Sequence, residues 1–164
     1  MDREKEILKV YKNEGIDGLK RLNATNDEIN QIVNRIDDKI KQLNIEALNI
    51  ISKQLNYTFP SDYCDYYSSQ ISLHIKPNLL KINNIEKMIR YLFSMDENSK
   101  TYIMKFQKFD SNYEKQLVPF AELEFGDFLC FDRNTNDIIY YNHEQDTISK
   151  VADNWQQLKD MLYE

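Results

Sequence analysis

The chain has 164 residues, 41% hydrophobic and 29% charged, enough for one globular domain that buries roughly 70% of the surface its unfolded form exposes. That removes any need for disulfide or metal staples, and Cys64 and Cys130, far apart and without CxxC spacing, read as buried free thiols of a reducing compartment. The net charge of −6 is uneven: lysines and arginines against acids number ten and twelve over 1–69, eight and five over 70–119, and three and ten over 120–164.

The first segment, Glu4 to Leu22, carries Ile7, Leu8 and Tyr11 and then Gly15 and Gly18, the pattern of a short helix and a loop. Thr25-Asn-Asp-Glu28 matches a capping box. Behind it Ile29, Ile32, Val33, Ile36, Ile40 and Leu43 recur at three and four residues and predict an amphipathic helix. The stripe spans too few heptads for a coiled coil, so packing on its own domain is expected. Ile45, Leu48, Ile51 and Leu55 carry a second stripe, either a continuation or a new helix after a break at Asn44. Phe59-Pro60 then interrupts the chain, and Ser61 is positioned to cap a short helix bearing Tyr63, Tyr66 and Tyr67.

From Ile71 the period changes. Ile71, Leu73 and Ile75 alternate as a half-buried strand does. Glu86 to Met95 fits either a helix or a strand following a turn at Asn83-Asn84. Tyr102, Ile103, Phe106 and Phe109 suit a short helix capped by Ser99. Strands are expected at Phe128–Phe131 and Ile138–Tyr141, and Asp153-Asn-Trp-Gln156 opens a final helix carrying Trp155, Leu158 and Leu162.

The stretch from Phe125 to Glu144 gathers oxygen ligands, a thiol and a His-Glu pair. Asp132-Arg-Asn134-Thr-Asn136 resembles the start of an EF-hand loop, but Asp137 occupies the position where glycine must turn the backbone, and His143 the one that needs a bidentate glutamate. A polar hairpin turn accounts for it. His143-Glu144 is no HExxH motif, because Thr147 stands where the second histidine would be. His74, His143 and the two cysteines form no zinc knuckle. Gly15, Gly18 and Gly126 are too few for a phosphate-cradling loop, and no GxSxG elbow is present. No catalytic, cofactor-binding or metal residue is therefore assigned. The charged N-terminus lacks a signal-peptide core and no eighteen apolar residues run together, so a cytoplasmic protein without a membrane span is expected. The acidic last third would repel phosphate backbones, which speaks against direct nucleic-acid binding; it reads as solvated surface or as an attractor of basic partners.

Leu117-Val-Pro-Phe-Ala121, Phe125-Gly-Asp-Phe-Leu-Cys-Phe-Asp132, Ile138-Ile-Tyr-Tyr141, His143-Glu144 and Val151-Ala-Asp-Asn-Trp155, in that order and ahead of a terminal helix, resemble the SUKH superfamily of cell-wall assembly regulators and bacterial immunity proteins. Upstream, Ile45 to Leu55 and Phe59-Pro-Ser-Asp-Tyr63 are similar to its first helix and Leu-Pro-x-Asp-Tyr turn, with phenylalanine replacing leucine. Ser68-Ser69-Gln70 replaces the glycine-rich turn of many members. The resemblance covers about residues 44–164 and leaves 1–43 as an N-terminal helical extension. It implies a single α+β domain with a central, mostly antiparallel sheet and helices packed against it, which favours the strand reading of Glu86 to Met95. It also implies that Pro60, Tyr63, Pro119, Phe120, Gly126 and Asp127 are fold determinants, with Gly126 turning the chain before the Phe128 strand and Cys130 at the core.

The implied function is that of an immunity protein which binds and occludes a cognate toxin domain such as a basic nuclease; the alternative is a regulatory or scaffolding module of the same fold. The expected partner surface comprises the acids Glu122, Glu124, Asp127, Asp132, Asp137, Glu144 and Asp146, with Tyr66, Tyr67, Tyr140 and Tyr141 as aromatic anchors where they reach the surface.

Overall fold

A computed structural model describes residues 3–22 and 25–164. Helix α1 (Arg3–Arg21) runs through the expected loop and is interrupted at Gly15, whose φ of 61° and ψ of −152° leave helical space. Leu19 is buried beneath it, and the Tyr11 hydroxyl donates to Asp37 Oδ1 at 3.1 Å. The expected apolar role of Leu8 lies outside the described side chains.

Helix α2 (Asn26–Leu55) opens with the capping box: the Thr25 hydroxyl accepts from Glu28 N, and Glu28 accepts from Thr25 N at 2.9 Å. The two stripes of the sequence belong to this one 30-residue helix, so Asn44 is a continuation. Its amide reaches the end of helix α3 (Ser61–Ser68), donating to the carbonyls of Ser68 and Gln70 at 3.0 and 3.1 Å. These are backbone acceptors that a helix C-terminus otherwise leaves to solvent. α2 therefore crosses the 43/44 boundary unbroken, while Leu43, expected on the buried stripe, is 53% exposed. Helix α3 starts at Ser61 with Pro60 at its N-cap and no side-chain cap, so Ser61 is the first helical residue and not the cap.

Six strands follow: β1 (Leu79–Ile82), β2 (Ile85–Leu92), β3 (Leu117–Leu123), β4 (Phe128–Asp132), β5 (Ile138–Asn142) and β6 (Thr147–Ala152). They form one antiparallel sheet in chain order, each paired with its neighbours in sequence. Asn83 and Asn84, at φ 52° and 63°, make the two-residue turn that joins β1 to β2, a backbone conformation that asparagine accepts more readily than other side chains. Pro119 sits where the register of β3 against β4 shifts, the kind of position in which a missing N–H is tolerated.

Two further local expectations fail. Residues 71–75 form no strand: Ile71 is exposed and Ile75 buried, so no constant face exists, and Leu73 touches the sheet through its carbonyl, which accepts from Leu92 N at 2.8 Å. The helix expected around Tyr102–Phe109 is one 3₁₀ turn, Ile103–Phe106, without a side-chain cap; Ser99 accepts instead from Thr101 N.

The second half of α2, α3 and the closing helix α4 (Trp155–Asp160) pack on one sheet face. Tyr63 is fully buried there among Phe59, Tyr67, Phe120, Phe131 and Trp155, with ring centroids 5.1–5.9 Å apart. Such edge and tilted contacts contribute about 0.5–1.5 kcal/mol each beyond area burial. On the opposite face Leu117, Cys130, Ile139 and Tyr141 form a smaller cluster against Phe109 and Tyr113. Among the described residues no helix is long and apolar enough to cross a membrane.

Candidate functional site

The β3–β4 and β5–β6 turns meet at one end of the sheet. Leu123 N donates to the Asp127 carbonyl at 2.8 Å, closing a turn of Glu124, Phe125 and Gly126. Phe125 has φ 62° and Gly126 φ 81°, consecutive left-handed residues of which only the second is glycine. Beneath them the Asp127 carboxylate, 3% exposed, accepts from the Tyr140 hydroxyl at 2.5 Å, from His143 N at 3.1 Å and from Lys87 Nζ at 3.3 Å, and pairs with His143 Nδ1 at 2.9 Å. Burial alone would raise its pKa, but the hydrogen bonds from Tyr140, His143 and Lys87 outweigh it and hold the group below the usual aspartate value. Asp127 thus ties two turns to β2. The expected glycine turn is present, and the implied scaffold role of Asp127 has a physical basis.

The oxygen-rich β4–β5 turn is also scaffold. Asp132 accepts from Asn134 N, Thr135 N and Gln116 Nε2, and its pKa is lowered by these bonds against the opposing effect of burial. Asn136 Oδ1 accepts from the Tyr57 hydroxyl at 2.7 Å. Arg133 donates to Leu55 O at 3.0 Å, placing a cation at the C-terminal end of α2 where the helix dipole favours it.

The expected partner residues divide by burial. Tyr67, Asp127, Asp132, Tyr140 and Tyr141 are buried, their polar atoms satisfied internally; Tyr67, for instance, accepts from Met95 N. Burial leaves these five little surface to offer a partner. Tyr66 is half-buried between Trp155 and Lys159. Glu122 pairs with Arg90 at 2.8 Å and accepts from the Tyr91 hydroxyl. Asp137 pairs with Lys150. Asp146 holds the segment before β3, accepting from Ser111 and Asn112 side chains as well as Tyr141. Glu124 and Glu144 form no ion pair with a described residue, and Glu144 is exposed.

Two surface features escaped the sequence reading. Phe125, the residue before Gly126 in the β3–β4 turn, is 78% exposed. The second is a groove of about 670 Å³ between α2 and the segments around Ile71 and Asp96. Leu43, Ala47 and Ile50 line its α2 wall, with Leu43 and Ile50 53% and 56% exposed. Their spacing of four and three marks an exposed apolar stripe that interleaves with the buried one and takes Leu43 from it.

For nucleophilic chemistry the thiols are set the wrong way. Cys130 is fully buried, and burial raises the pKa of both cysteines, whereas a reactive thiol needs its thiolate stabilised. His74 lies apart from His143, its Nδ1 3.1 Å from Arg90 O. Among the described residues no three His, Cys, Asp or Glu side chains converge as metal ligands.

Fold and surface together define an α+β domain in which one antiparallel meander carries helices on one face and displays an aromatic among acids at one end. The chain belongs to the SMI1 / KNR4 family (SUKH-1), whose model matches residues 42–160, from the second half of α2 to α4. This family consists generally of non-catalytic immunity or regulatory domains, associated with protein partners. No curated protein and no solved structure matches the chain.

Proposed function

We propose that this protein is an immunity protein that binds a cognate bacterial toxin domain and neutralises it by stoichiometric occlusion. Family membership over residues 42–160 is the observation that carries the reading. The charge of the last 45 residues, ten acids against three basic groups, adds the chemistry of the partner: a basic domain, such as a nuclease that holds phosphate backbones. Acids that are hydrogen-bonded internally but not ion-paired still contribute to the long-range field, so Asp132 and Asp146 help steer a basic partner. Glu124 and Glu144 are the acids placed to meet its cations, with Glu122 and Asp137 at the margin.

The test is association kinetics with any toxin-type domain that the neighbouring genes encode, at several salt concentrations. Replacing Glu124 and Glu144 by lysine should slow association by roughly tenfold at low salt and flatten its salt dependence, within the range that electrostatic steering spans. Unchanged kinetics would remove the electrostatic part of the proposal; absence of any complex with that domain would remove the immunity function.

A further inference from the structure

We propose that Phe125 is the anchor of the partner interface, its ring entering an apolar pocket rimmed by lysine or arginine on the bound protein. This deepens the toxin-binding reading and rests on it. Phe125 is the most exposed large hydrophobic among the described residues, at 78% against 61% for Ile85. Its φ of 62° lies where a bulky side chain is a genuine outlier and where glycine or asparagine would sit without strain. A phenylalanine that gains little burial and adopts an unfavourable backbone is unexplained by folding. Strain of this sort concentrates where a surface is used.

The mount is stiff. The Leu123–Asp127 hydrogen bond closes the turn, and Asp127 is held from Lys87 on β2, Tyr140 on β5 and His143 in the next turn. The His143 ring packs beside Gly126, 3.5 Å from the position a Cβ would take there. An aromatic displayed on a fixed turn loses little conformational freedom on docking, which is the property that makes such residues dominate interfaces. Glu124 precedes it in sequence and Glu144 follows His143, neither ion-paired to a described residue. Those charges disfavour an anionic membrane as the receptor, and they disfavour the same surface of a second copy. They fit a basic protein.

The experiment places the photoreactive analogue p-benzoylphenylalanine at position 125, at Ile50 in the groove, or at Ile85 as an exposed control, and irradiates cells of the native host. The expected result is one discrete heteroprotein adduct at position 125, joined to a lysine- or arginine-rich peptide of the partner. With that protein purified, F125A and F125N should each weaken binding by about 30-fold or more, while their melting temperatures stay at or above that of the parent. An adduct at position 50 or 85 but not at 125 overturns the anchor and leaves partner binding intact. A lipid adduct, or an adduct between two copies of the chain, likewise overturns it in favour of those contacts. No adduct at any position, with the proteins folded, counts against both the anchor and the protein-binding function.

Discussion

Replacing Asp127 by alanine removes one carboxylate that four contacts share. Its side chain is 4% exposed and that of Lys87 16%. The substitution strands the Tyr140 hydroxyl, His143 N–H and a largely desolvated ammonium at once. Breaking a buried pair by deleting one partner costs about 3–5 kcal/mol, and the residual exposure of Lys87 argues for the lower end, about 3 kcal/mol. For a chain of this size each kcal/mol moves the melting temperature by about 2–4 °C, so D127A should lower it by roughly 6–12 °C. Thermal and urea unfolding followed by circular dichroism measure this directly. D127N keeps an acceptor for the Tyr140 and His143 donors and should lose less, and combining it with Lys87→Met should recover part of that loss by removing the stranded charge. Because the same carboxylate fixes the turn bearing Phe125, D127A should also weaken partner binding. A melting temperature within about 2 °C of the parent would refute the claim that Asp127 locks this end of the sheet.

The remaining predictions concern protonation and thiol access. Asp127 and Asp132 have folded pKa values below their unfolded ones, so the unfolded chain takes up protons first on acidification. Their contribution is complete well above the unfolded aspartate pKa of about 3.9 and is lost as pH falls through the folded values, a decline that urea midpoints from about pH 5 down to about pH 2 would record. At the alkaline end burial holds the Tyr67 pKa up to about 12, and burial, with the hydrogen bond to Glu122, holds that of Tyr91 up to about 12. The unfolded chain therefore ionises first above pH 10, and stability should fall between pH 10 and 12; a flat urea midpoint across that interval would contradict the burial of Tyr67. Cys130 should react with a thiol reagent only on unfolding. Asp146→Ala, by releasing the Ser111 and Asn112 contacts that hold the covering segment, should speed Cys130 labelling by roughly tenfold or more, as expected when local opening no longer has to break those hydrogen bonds, and leave the rate at Cys64 unchanged.

Much of the architecture was legible because local chemistry and tertiary packing agree there. Thr25 and Glu28 form the capping box that their spacing announces, Asn83-Asn84 turns one hairpin, and the Phe128 and Ile138 strands stand where they were expected. β3 escaped because Pro119 breaks the strand signal, and only a register shift against β4 accommodates it. Strand β6, Thr-Ile-Ser-Lys-Val-Ala, carries too few apolar residues to announce an edge. Residues 71–75 alternate in sequence but bend in space, so Ile71 and Ile75 face different surroundings.

At the site the acids were legible as charge but not as position. Asp127 and Glu124 are three residues apart, yet one is the buried centre of a network and the other stands at its rim. Which acid is buried depends on Lys87, Tyr140 and His143 arriving from distant strands. Phe125 was unreadable for the converse reason: hydrophobicity predicts burial, and only its backbone conformation turns it outward.

The most direct test of the central claim is affinity capture of the tagged protein from its native host in moderate salt, with mass spectrometry of what remains bound. The expected result is one dominant partner, held one to one, carrying a basic toxin-type domain whose activity disappears in the complex. Several unrelated cellular proteins in place of that partner, or a toxin domain that stays active while bound, would contradict it.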